Sequence, residues 1–322
     1  MLKKRPEITS TFPLLSGKEK NLPRRHGGTE KRKNLFLCGS VPPWQKEEVI
    51  QGQFLRTLFL AFLLFCPGVS VFAVELKVAV AANFKPSLEV LAKAFEAETG
   101  HRLLISSAST GVLYNQITHG APFDIFLSAD SLRAELLEKK GLTLEGSRHP
   151  YALGGLVLWS PGFSGKDDQD KTMTLEDLAF YKGRLAIANP ATAPYGLAAR
   201  QVLEKLGFWS SFRSRLVQGA SIQQAWQFVA SGNIPAGLVA KAQLVDHKNN
   251  DGHIFSIPAT LYDPIQQDLV ILKRTRQPEA AKAFVAFILS PSVQSTIAKQ
   301  GYFPVSTTMV DKTTSENRRK AL

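Results

Sequence analysis

The chain has 322 residues, 44% of them hydrophobic and 20% charged, with a formal net charge of +12. That length makes one large or two medium globular domains with a substantial buried core. Residues 1–73 hold 12 of the 39 Lys and Arg but 5 of the 27 Asp and Glu, so the remainder carries only +5, which makes no case for nucleic acid or a membrane surface as partner.

The basic leader ends in a secretion signal. Thr57–Ala73, "TLFLAFLLFCPGVSVFA", is apolar, follows Arg56 and closes on Val71-Phe72-Ala73, with small residues at the −3 and −1 positions of a cut after Ala73. A membrane anchor fits less well, because the unbroken apolar run is shorter than the ~20 residues a span requires and Pro67-Gly68 interrupts it. Lipidation at Cys66 is disfavoured by the bulky Phe65 before it. Residues 55–73 are thus read as a signal peptide, and residues 1–54, Lys/Arg-rich and aperiodic, as a disordered leader or as the product of a misassigned start, with translation beginning near Val49. Cys38 and Cys66 both lie before the cut, so the mature chain is expected to have no disulfide and no Cys-ligated metal.

Beyond residue 74 short apolar runs alternate with amphipathic helices. "LKVAVAA" (76–82) reads as a buried strand. It is followed by a helix in which Leu88, Leu91, Ala92 and Phe95 share a face and Gly100 caps the end. "RLLISSA" (102–108) is a strand leading to a helix near 111–119; "FDIFLSA" (123–129) is a third strand, after which Asp130 caps "SLRAELLEKKG". A second set comprises "GGLVLWS" (154–160), "RLAIA" (184–188), helices at 194–206 and near 221–231, and "AGLVA" (236–240). The last third adds strands 254–258 and 267–273, a helix through "EAAKAFVAFIL" and another from Pro291 to Gly301. This alternation predicts doubly wound α/β sheets. Asp167, Asp168 and Asp170 in "PGFSGKDDQDKT", and the run "DHKNNDGH" (246–253), are read as solvated loops, since the spacing of the second does not match a calcium loop.

Three strand-to-helix turns share one grammar: "AANFKP" (81–86), "SASTGV" (107–112) and "ANPATAPYG" (188–196). Asn83, Ser109, Thr110 and Thr192 fall near helix N-termini, where the first N–H groups lack intrahelical partners and the dipole favours an anion. In open α/β sheets such turns gather at the carboxyl ends of the strands, where ligands bind. Capping alone accounts for any one of these turns. Apart from Lys85 they contain no cation, and no phosphate-binding GxxxxGK[ST] loop occurs. Backbone N–H groups, an Asn amide, hydroxyls and the Tyr195 phenol suit a fully ionised oxyanion, which only accepts hydrogen bonds.

Catalysis has little support. GxSxG and HExxH are absent, no Cys nucleophile remains after the cut, and His101, His119, His149, His247 and His253 are scattered.

The segments "VAVAANF", "SASTGVLYNQITHGAPFDIFLSAD", "GRLAIANPATAPYGLAARQVLEKLG", "GNIPAGLVA" and "GYFPV" resemble the periplasmic molybdate-binding proteins of ABC transporters, over Leu76 to about Val305. The resemblance implies a type II periplasmic-binding-protein fold: two doubly wound α/β lobes with a ligand cleft between them. Lobe 1 would comprise 74–152 plus 258–312 and lobe 2 153–257, with a disordered tail at 313–322. It implies a secreted, monomeric, non-enzymatic protein that captures molybdate, and also tungstate, and delivers it to a membrane permease with its ATPase. The membrane would be met only through the permease, with no nucleic acid and no cofactor involved; molybdenum would be held only as its oxyanion. The ligand contacts implied are Asn83 with Ala82 beside it, Thr110 with Ser109 adjacent, Tyr195, and the Ile222 backbone N–H. The enterobacterial pattern has Ser at position 83, Ala at 195 and Tyr at 240. Here position 195 supplies the phenol and Ala240 does not. The aligned positions supply no carboxylates, so tetrahedral, hydrogen-bond-only binding is expected. Another oxyanion such as sulfate, or an enzyme on the same scaffold, are the competing expectations.

Overall fold

The computed structural model describes residues 73–161, 173–245 and 253–305. The leader, nearly all of the signal segment, the three Asp residues of the 162–172 loop, nearly all of the 246–253 run and the tail lie outside them. Strand β1 (Glu75–Ala81) packs Leu76, Val78 and Val80 into one apolar cluster and Ala79 into another. Burial on both faces is the mark of an inner parallel strand. It runs parallel to β2 (Arg102–Ala108) and β3 (Ile125–Leu127). β10 (Ile265–Ile271) then joins β3 antiparallel and pairs with β4 (His149–Gly154), giving the sheet order β2-β1-β3-β10-β4.

The second sheet repeats the plan. β6 (Leu185–Ala188) lies between β7 (Leu216–Gly219) and β8 (Ala236–Ala240), parallel to both. β5 (Leu156–Ser160) is antiparallel to β8 and to β9 (His253–Ser256), giving the order β7-β6-β8-β5-β9. The chain leaves the first sheet after Gly154, enters the second at Leu156, and returns between Ser256 and Ile265.

The helices begin and end where local chemistry dictates. α1 (Lys85–Thr99) has a proline in its first turn and stops at Gly100, whose φ of 72° permits the N–H to return to Glu96 O. α2 (Thr110–Thr118) follows β2; α3 (Ser131–Lys139) is capped by Asp130, whose carboxylate accepts from Arg133 N at 2.9 Å. α4 (Leu175–Phe180), which the periodicity does not reveal, is fixed by a capping box between Thr174 and Asp177. α5 (Pro194–Lys205) has proline at its first position, where the lost N–H costs nothing. It is followed by the single turn α6 (Trp209–Phe212) and by α7 (Ile222–Ala230), capped by Ser221. The last two, α8 (Pro278–Leu289) and α9 (Pro291–Lys299), bury Phe284, Ile288 and Ile297 against the first sheet. There Phe284 meets Phe95 edge-to-face at 5.2 Å. Full burial of each such ring contributes about 1.5–3 kcal/mol. Among the described residues no single helix is long and apolar enough to cross a membrane.

Two further features set up the site. The β10–β4 ladder shifts register between Gln267 and Asp268, a bulge that re-aims side chains. The bulge is pinned by Arg148, which bonds Asp268 at 3.1 Å and Glu138 at 2.9 Å. Burial raises the Asp268 carboxyl above its usual range, against the opposing pull of Gln266, Arg148 and Ser131.

Candidate ligand-binding site

The carboxyl ends of β1, β2, β3, β6 and β7 converge on one small cavity. Its walls are Ala81 at the end of β1, Ala82 and Asn83 just after it, Ser109 and Thr110 after β2, Ala129 after β3, Ala193, Pro194 and Tyr195 after β6, and Ile222 after β7. The cavity is closed down tightly: about 190 Å³ lies between atoms when the part open to solvent is counted, but only about 10 Å³ admits the centre of a water-sized sphere. All six residues singled out from the sequence (Asn83, Thr110, Tyr195, Ile222, Ala82 and Ser109) are on this wall, and no wall residue is charged.

Capping and ligand binding make different demands on the small polar side chains, and the geometry separates them. Ser109 occupies the N-cap position of α2 but makes no capping bond. Its Oγ is buried and has no hydrogen-bond partner. Asp130 and Ser221, in equivalent positions elsewhere, do cap. An uncapped, unpartnered hydroxyl in a buried wall carries a desolvation cost of about 1–3 kcal/mol, and such groups call for a partner.

Thr110 and Tyr195 have their oxygens engaged and their protons free. Thr110 Oγ1 accepts from Ala129 N at 3.1 Å. Tyr195 Oη accepts from Gln267 Nε2 at 3.4 Å. A hydroxyl that already accepts is left as a donor to whatever lies on its other side. Tyr195 is buried, and this raises its phenol well above the usual value, with Tyr302 and Tyr262 adding to the shift. It remains a neutral donor at physiological pH.

The two β1-turn residues behave differently from the expectation. The Asn83 amide, read from the sequence as a ligand donor, is spent on Gln267 Oε1 at 2.8 Å and Tyr302 Oη at 3.3 Å. Its backbone N–H meets no acceptor among the described residues. The Ala82 N–H goes to Ala108 O at 3.0 Å, so this residue offers the cavity only its methyl group. Ile222 is the first residue of α7, and its N–H likewise has no acceptor among the described residues, as a first-turn amide should not.

Thr192 is not on the wall; its carbonyl accepts from Gly111 N at 2.8 Å, tying the 188–196 turn to the start of α2. Arg133 Nη2 donates to Ala191 O at 3.2 Å in the same turn. Sequence reasoning missed Gln267, Gly154, Tyr151 and Tyr302, which support the wall from behind. The available signal was the polar run Gln266-Gln267-Asp268 near the head of an otherwise apolar strand. Among the described residues no group of three His, Cys, Asp or Glu side chains could hold a metal ion.

The profile of the bacterial extracellular solute-binding proteins matches residues 76–303. The chain is 48% identical over 233 residues to the molybdate-binding protein ModA of Azotobacter vinelandii, covering 71% of this chain and 90% of that protein. Identity to the ModA of Rhodobacter capsulatus is 40% over 228 residues, covering 71% and 88%. A solved Azotobacter vinelandii periplasmic molybdate-binding protein is similar with a TM-score of 0.66 at 40% identity, covering 72% of this chain and 100% of that one. The chain therefore belongs to the bacterial extracellular solute-binding proteins and, within them, to the family of periplasmic molybdate-binding proteins.

Proposed function

We propose that this protein captures molybdate, and also tungstate, in the cavity between the two sheets and delivers it to an ABC permease and its ATPase. It does so in the periplasm as a monomer and without catalysis, after a signal peptide is removed near Ala73. The two sheets are the cores of two lobes, 74–152 plus 258–312 and 153–257, which close on the ligand. The observation that carries this reading is the polarity of the wall. Ser109, Thr110 and Tyr195 offer free O–H groups, and no cation or carboxylate lines the space. A dianion with acceptor oxygens alone matches such a wall. Each charge-assisted bond contributes about 1.5–3 kcal/mol.

Thermal shift and calorimetric titration of the mature protein test it. Molybdate and tungstate should both raise Tm, each in proportion to the logarithm of its concentration above Kd. Hydrogen phosphate should raise Tm less than molybdate at equal concentration, because no carboxylate lines the wall to take its P–OH proton, which is left to a hydroxyl oxygen such as Ser109 Oγ. Stabilisation by sulfate at concentrations where molybdate does nothing would overturn the assignment.

Tyr195→Phe should weaken molybdate binding by about 1–3 kcal/mol, the loss of one buried donor. Unchanged affinity would remove Tyr195 from the ligand set.

A further inference from the structure

Tyr195 is held by a side chain from the other sheet. Gln267 is fully buried on β10, at the bulge, with its amide between three polar side chains. Its Nε2 donates to Tyr195 Oη at 3.4 Å, and its Oε1 accepts from Asn83 Nδ2 at 2.8 Å and from Tyr151 Oη at 3.0 Å.

The direction of each bond follows from the one before. Tyr302 Oη donates to the Asn83 backbone carbonyl at 2.9 Å, and a carbonyl can only accept. With its proton so committed, Tyr302 Oη must accept from Asn83, which places the Asn83 amide nitrogen toward Tyr302 and Gln267. Gln267 must then face Asn83 with its oxygen and Tyr195 with its nitrogen. Tyr195 Oη therefore accepts from within the protein, and its proton is directed to the cavity. Reversal of either amide would set two lone pairs, or two N–H groups, against each other in a dry interior, at the cost of unsatisfied buried groups.

We infer that Gln267 is a positioning residue that fixes the hydrogen-bond polarity of Tyr195, and so makes the phenol an obligate donor to the bound oxyanion. This rests on the function proposed above. The chain Tyr302–Asn83–Gln267–Tyr195 starts at a backbone group that cannot flip and ends at the ligand. Asn83 acts in it through Gln267, which explains why its amide faces away from the cavity.

Gln267→Glu keeps the shape and changes only the donor. Around position 267 the titratable groups are the phenols of Tyr151 from β4, Tyr195 from α5 and Tyr302 beyond Asn83, and the Asp268 carboxyl next in the chain, paired with Arg148. The introduced carboxyl, when ionised, accepts from Tyr195 and turns its proton from the cavity; when protonated, it keeps a donor for the phenol. Since burial raises a carboxyl, molybdate affinity of Gln267→Glu should fall about 10-fold or more as pH rises from about 6 to 9. The wild type over the same range is the control and should not show that fall. In a double-mutant cycle, Gln267→Leu should weaken binding about 10- to 100-fold in the wild type but less than about 3-fold in Tyr195→Phe. A Gln267→Glu profile parallel to the wild type, or additive losses in the cycle, would overturn the inference while leaving molybdate binding intact. Failure of the wild type to bind molybdate would overturn the functional reading itself, and the inference with it.

Discussion

Gly154→Ala should weaken molybdate binding by more than about 100-fold, a larger loss than removal of the Tyr195 hydroxyl alone. Gly154 ends β4 opposite Ile265, and its backbone has no positive φ, so alanine meets no torsional penalty there. The obstacle is space. A Cβ at this position would collide with Tyr195 Oη, lie 2.8 Å from its Cζ and lie 3.2 Å from Gln267 Nε2. The Tyr195 ring is buried and close-packed, so it yields only by moving toward the cavity. That shift breaks the Gln267 bond and drives the ring into the volume the ligand needs. Overpacking of this kind also costs about 1–3 kcal/mol of stability. The neighbouring glycine supplies the control. A Cβ on Gly155 would meet Phe303 Cε2 at 3.0 Å and Lys241 Cβ at 3.4 Å, and Phe303 is 44% exposed and can give way. Gly155→Ala should therefore change affinity by less than about 3-fold by calorimetry. Equal losses at the two positions would point to stiffening of the connection between the sheets rather than displacement of Tyr195.

Much of this arrangement is legible in the sequence because it is local. The 3.6-residue spacing in 85–99, the caps at Gly100 and Asp130 and the proline start of α5 each depend on a few neighbouring residues, and each is where the pattern places it. The turns that build the cavity are legible for the same reason. What escapes is what depends on distance along the chain. β4 and β5 merge into one apolar run across Gly154-Gly155, although they belong to different sheets. β7, four residues long with an exposed Gln218, carries too little periodicity to read as a strand. Gln267 lies 184 residues from Asn83 and 72 from Tyr195, so no local pattern could announce that it joins them. The sequence also cannot distinguish a capping serine from a ligand serine; the unpartnered Ser109 Oγ does.

Ser109 and Thr110 are adjacent hydroxyls on one wall, yet their removal should move stability in opposite directions. Ser109→Ala deletes a buried group without a partner, so the ligand-free protein should lose nothing and gain up to about 1 kcal/mol. Thr110→Val deletes the acceptor of the buried Ala129 N–H, so the ligand-free protein should lose about 1–2 kcal/mol. Both variants should bind molybdate more weakly, each by about 1.5–3 kcal/mol, and the double variant by more than about 100-fold. Denaturant melts without ligand and calorimetry with it measure the two effects separately. A stabilised Ser109→Ala protein with impaired binding has only one physical explanation: the wild-type chain retains an unsatisfied hydroxyl because the ligand satisfies it. Were Ser109→Ala instead destabilised, with affinity unchanged, its hydroxyl would belong to the scaffold. The wall would then offer Thr110 and Tyr195 as its side-chain donors, with the N–H groups of Asn83 and Ile222 carrying the rest of the charge.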